Sequence, residues 1–65
     1  MKIAVNGEQL EAGAATLAAL LAELEYDPGL VATAVNEVFV RAKDRDFCAL
    51  KEGDKVEVLS PRQGG

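Results

Sequence analysis

The sequence predicts an α+β domain in which a mixed sheet of about four to five strands packs on one side of a single helix. Three observations carry that expectation. Asn6-Gly7 sits between two short strand-like runs, Leu17, Leu20, Leu21 and Leu24 recur at helical spacing, and Lys55-Val56-Glu57-Val58-Leu59 alternates with a period of two.

The first element is Lys2-Ile3-Ala4-Val5, and Asn-Gly is the dipeptide best suited to a type I′ hairpin because both central positions need positive φ. Glu8 to Glu11 returns as the second strand, with Leu10 its large apolar residue, and Ala12 to Ala15 reads as a loop. Thr16 can accept a hydrogen bond from a first-turn N–H, so it is the expected N-cap of a helix from Leu17 to about Glu25. Intervening alanines favour the helix, whereas Glu23 and Glu25 oppose the dipole at its C-terminal end. Asp27-Pro28-Gly29 is expected to stop it. Val31 to Val35 then forms a strand, Asn36-Glu37 a turn, and Val38-Phe39-Val40 the next strand. Within Arg41 to Leu50 the expectation is a short helical turn anchored by Phe47 and Leu50. Glu52-Gly53-Asp54 turns the chain into the final strand. One helix covers one face of the sheet, which leaves the other face to solvent.

Composition removes several functions. The 65 residues contain no histidine and one cysteine, so imidazole chemistry, an internal disulfide and a zinc cluster are all out of reach. An unpaired thiol in so small a domain points to a reducing compartment, and no apolar signal region follows Met1, so the expected address is the cytoplasm. The longest apolar run, Ala14 to Ala22, is broken by Thr16 and is far short of the ~20 residues a membrane span needs. Eleven acidic side chains against seven scattered basic ones give a net charge of −4. That argues against nucleic acid and anionic membrane as partners and favours a protein with a basic groove.

Residues 1–60 are therefore expected to form the domain, with 61–65 as a flexible Gly-Gly tail. Pro61 lacks an N–H and ends the strand ladder near Ser60. Five extended residues reach about 17 Å. Gly64 and Gly65 lack a Cβ and can enter a narrow channel. The α-carboxylate is ionised at neutral pH and inert as an acyl donor until a partner activates it.

The Val5-Asn6-Gly7-Glu8 hairpin, the Thr16-Leu17 helix start and Ala34-Val35-Asn36-Glu37 before Val38-Phe39-Val40 together resemble the ThiS family of sulfur carriers in thiamin thiazole biosynthesis. So does Leu50-Lys51-Glu52-Gly53-Asp54-Lys55-Val56-Glu57-Val58 running into a Gly-Gly end. The resemblance covers essentially the whole chain. It implies a β-grasp (ubiquitin-like) fold and a cosubstrate rather than an enzyme. A ThiF-like adenylyltransferase using ATP and magnesium would activate the Gly65 carboxylate, with no cofactor bound by the carrier itself. A cysteine-desulfurase-derived persulfide would then convert it to a thiocarboxylate, and a ThiG-like thiazole synthase would consume the sulfur. Gly64 gives access to the partner site, Arg62 adds a charge just before the glycines, and the free carrier is expected to be a monomer. The small subunit of molybdopterin synthase, other ubiquitin-like sulfur carriers or modifiers, and a plain β-grasp interaction domain are the alternatives.

Of the remaining residues, Cys48 reads as a small buried hydrophobe rather than a persulfide site. Asp44-Arg45-Asp46 reads as a solvated turn, and Glu23, Glu25 and Asp27 as a charged helix end. If Val56 and Val58 face the helix, Leu59 faces outward beside Ala32 and Ala34, where it either docks a partner or lies under the tail.

Overall fold

The computed structural model describes residues 1–60, so Arg62, Gly64, Gly65 and the expected tail at 61–65 lie outside the described residues. Strands β1 (Lys2–Val5), β2 (Glu8–Glu11), β3 (Ala32–Val35), β4 (Val38–Val40) and β5 (Lys55–Leu59) form one sheet in the order β2-β1-β5-β3-β4. The sheet is mixed: β1 and β5 run parallel, while the other neighbours are antiparallel. Asn6-Gly7 has the expected left-handed backbone, with φ of 52° and 85°, and the Asn36-Glu37 turn has the same handedness at 51° and 71°.

Helix α1 (Leu17–Glu23) begins where the sequence places it, with Thr16 accepting a bond of 3.2 Å from the Ala19 N–H. It ends earlier than expected, and Asp27-Pro28-Gly29 is not what stops it. Glu25 takes a positive φ of 63°. The Tyr26 N–H returns to the Leu21 carbonyl and the Glu25 N–H to the Ala22 carbonyl, a Schellman arrangement that satisfies the last carbonyls. Asp27 instead caps a separate 3-10 turn, Pro28–Leu30. Glu23, unfavourable toward the dipole, accepts from the Gly13 N–H at 3.2 Å and so pins the loop before the helix.

Leu17, Leu20 and Leu21 are fully buried against Ile3, Val5, Val56 and Val58, so the period of 3.6 on the helix meets the period of two on the sheet. Leu50 closes one end of this core, where its N–H bonds the Ala15 carbonyl and the Leu17 N–H bonds the Cys48 carbonyl. Cys48 is half-buried against the same core.

The 3-10 helix Ala42–Phe47 supplies the expected helical turn; of its two expected anchors Leu50 is buried and Phe47 is not. Phe47 is 84% exposed, and Arg45 is buried at 5%. The guanidinium donates to the Thr33 hydroxyl at 3.1 Å and to the Pro28 and Val31 carbonyls at 2.9 and 2.8 Å. Asp44-Arg45-Asp46 is thus not a solvated turn at its centre. A fork of donors reaching three neutral oxygens makes burial of the cation tolerable without a carboxylate partner among the described residues. Val31 stays outside β3, and its carbonyl serves Arg45 instead of the ladder.

Candidate functional site

The open face of the sheet follows from register. β5 alternates exposed and buried, with Val56 and Val58 toward α1 and Lys55, Glu57 and Leu59 away from it. Leu59 pairs with Ala32, Glu57 with Ala34, and Ala34 in turn with Phe39 on β4. A shallow depression lined by Ala32, Thr33, Ala34, Phe39, Glu57 and Leu59 results. Leu59 is 67% and Phe39 65% exposed, so two large apolar side chains stand in water on the face the helix does not cover. Leu59 therefore faces outward beside Ala32 and Ala34 as the alternation predicts. Phe39 belongs to the same face. The pairing of β3 with β4 shows this, and Val38-Phe39-Val40, apolar at every position, carries no alternation from which its facing follows.

β5 carries this site because both of its ends are clamped by hairpin asparagines. At its start, the Asn36 N–H bonds the Lys55 carbonyl at 2.7 Å, and the Lys55 N–H bonds Asn36 Oδ1 at 3.0 Å. At its end, the Val58 N–H bonds Asn6 Oδ1 at 2.8 Å, and Asn6 Nδ2 donates to the Val58 carbonyl at 3.2 Å. The backbone register of β1 with β5 reaches only Val5↔Val56, so the Asn6 amide continues the ladder one step toward Leu59. From sequence alone both asparagines are turn formers. Their second role depends on which strand lies beside each turn.

Asp54, before β5, is buried and accepts from Asn36 Nδ2 at 3.0 Å, the Lys51 N–H at 2.9 Å and Lys51 Nζ at 3.4 Å. The Asn36 amide first, and then the Lys51 backbone N–H, hold its carboxyl below the usual aspartate value. These bonds make Asp54 a structural acceptor that fixes the turn into β5. Cys48 has no base beside it in sequence, and its carbonyl, not its thiol, is engaged at the helix start. Among the described residues, no three acidic or cysteine side chains are grouped to hold a metal ion, and no helix is long and apolar enough to cross a membrane.

The fold as a whole is similar to solved structures. A crystal structure of the thiamine biosynthesis protein ThiS from Geobacter metallireducens superposes with a TM-score of 0.83 at 29% identity, covering 100% of both chains. A solution structure of a thiamine biosynthesis protein from the same organism gives 0.82 at 28% identity, covering 100% of this chain and 88% of that one. The five-stranded sheet on one helix is the β-grasp arrangement these structures share. No curated protein is similar enough in sequence to count as a match. The ThiS family model matches residues 1–65, both C-terminal glycines included, and the chain belongs to the ThiS family.

Proposed function

We propose that this protein is a sulfur carrier for thiamin thiazole biosynthesis, with the sulfur held as a thiocarboxylate on Gly65. The observation that carries the reading is the family match over residues 1–65, which takes in Gly64-Gly65 as well as the folded body. Ionised carboxylate is a poor acyl donor. A ThiF-like adenylyltransferase solves that problem by joining a Gly65 oxygen to the α-phosphorus of ATP, with release of pyrophosphate and magnesium held by the enzyme. A persulfide sulfur from a cysteine-desulfurase-derived donor attacks the acyl carbon, and AMP leaves. A thiol then cleaves the S–S bond, forming a disulfide and freeing the thiocarboxylate. Its soft sulfur passes to a ThiG-like thiazole synthase, so the protein is consumed and regenerated as a cosubstrate.

Gly65 is the carrier residue, Gly64 gives it access, and Arg62 adds a charge beside them. The apolar face at Leu59 lies where the described chain leaves β5, which supports its use as the surface an activating partner grips. Membership in this family favours the thiamin branch over molybdopterin synthesis.

The test is intact-mass analysis after incubation with ATP, magnesium, the cognate adenylyltransferase and a sulfur donor. The expected product has one oxygen exchanged for one sulfur at the C-terminus, and a chain lacking Gly65 should remain unchanged. An unmodified mass for the full chain, under conditions where the enzyme thiolates another carrier, would overturn the proposal.

A further inference from the structure

Among the described residues the sheet has two outer strands, β2 and β4, and they differ in how they would meet a second copy. Antiparallel self-pairing of β2 about its centre sets Glu8 opposite Glu11 twice over, a like-charge arrangement that protects an edge. β4 is the reverse case. Its core is Val38-Phe39-Val40, with no charge, proline or glycine, and it is flanked by Glu37 and Arg41. A two-fold axis through Phe39 sets Phe39 opposite Phe39 and Val38 opposite Val40, and brings Glu37, in the turn that leads into β4, near Arg41 of the other copy.

The hydrogen-bonding phase agrees with this pairing. Val35 and Val38 flank the two-residue turn and form a bonded pair, so Ala34↔Phe39 is the non-bonded pair. The Phe39 N–H and C=O therefore aim away from β3. Two such edges meeting at Phe39 exchange both bonds, and two exposed rings come together on the open face. On the helix side, Val38 (66% exposed) meets Val40, which already packs on the core. Arg41 holds Asp44 at 3.1 Å in an exposed ion pair, an interaction weak enough to be exchanged for Glu37 of the other copy.

We propose that the β4 edge is a self-association surface, through which two copies form a reversible antiparallel dimer with one continuous sheet. Three residues per edge bury far less than the roughly 1,200 Å² of a stable interface, so the dimer forms at about 0.1–1 mM and dissociates on dilution. This goes beyond the carrier reading and departs from the free monomer expected with the family resemblance. Its test involves neither a partner enzyme nor the C-terminal carboxyl, so each proposal can fail without the other.

Sedimentation equilibrium of the full chain should show a weight-average mass rising from 6.9 kDa toward twice that value across this range. Backbone amide shifts that change with concentration should be confined to Glu37–Arg41. Glu37→Lys and Arg41→Glu each place like charges at both ends of the pairing and should weaken association roughly tenfold. An equimolar mixture of the two variants should recover it, because their charges then complement. A mass fixed at 6.9 kDa throughout overturns the proposal. So does association whose shifts map to Ala32 and Leu59 or to β2, or that is indifferent to both reversals. The wild-type mass and shift pattern decide the matter even if a variant fails to fold.

Discussion

Replacing Arg45 with alanine should destabilise this domain far more than a charged residue between two aspartates suggests. Three bonds of 2.8 to 3.1 Å disappear, leaving the Pro28 and Val31 carbonyls and the Thr33 hydroxyl without their donor. Bonds from a charged donor are each worth about 1.5–3 kcal/mol, a gross loss of about 5–9 kcal/mol. Two effects reduce it. The buried guanidinium no longer has to be desolvated, and the two carbonyls, whose bonds to Arg45 are only part-buried, can recover water. A net loss of about 3 kcal/mol remains, set against a total stability of about 3–10 kcal/mol for a chain of this size. With a urea m-value near 1 kcal/mol/M, the unfolding midpoint followed by far-ultraviolet circular dichroism should fall by about 2–3 M. Arg45→Lys offers one ammonium where a planar fork served three oxygens, and should recover less than half of the loss. Val31 leads into β3, so concentration-independent amide shifts should also reach Ala32 beside Leu59. A loss below about 0.5 kcal/mol for Arg45→Ala, the range of ordinary surface substitutions, would refute the reasoning.

Asn6→Ala removes both bonds to Val58 and leaves an alanine at a φ of 52°, so chemical denaturation should show a loss of about 2–3 kcal/mol; Asn6→Gly should restore the backbone part only. Asp54 has a depressed folded-state pKa, so its contribution is complete above the unfolded value of 3.8 and is lost as pH falls below it. Stability measured between about pH 6 and pH 2.5 should therefore fall less steeply for Asp54→Asn than for the parent, and parallel acid limbs would exclude this role. Leu59→Asp should leave the unfolding free energy within about 0.5 kcal/mol yet slow the proposed adenylation of Gly65 about tenfold or more. Adenylation at the parent rate would remove the open face from the docking surface.

The sequence by itself determined the elements and their chemistry. The Asn-Gly dipeptide fixed the first hairpin, since few residues tolerate consecutive positive φ. The leucines at 17, 20 and 21 fixed the buried helix face, and the alternation of Lys55 to Leu59 fixed which side of β5 meets it. Local spacing suffices there because periodicity and burial are the same physical statement. The Thr16 cap was legible for a similar reason, its partner being three residues away. The interactions that cross the fold were not legible. Arg45 looked solvated because its acceptors are backbone carbonyls at Pro28 and Val31, and a carbonyl carries no residue signature. Phe47 looked like an anchor because it is aromatic, yet on a turn whose inward position belongs to Arg45 it faces water. Glu25, in a left-handed conformation, ends the helix ahead of the stop expected at Asp27-Pro28-Gly29, because the Schellman bonds to Leu21 and Ala22 outweigh the cost of one positive φ. Asn6 and Asn36 acquired their second partners only once β5 had come to lie beside both turns. Strand order, set by how one helix stripe closes over five short strands, decided that Phe39 and Leu59 share the open face and that β4 ends the sheet.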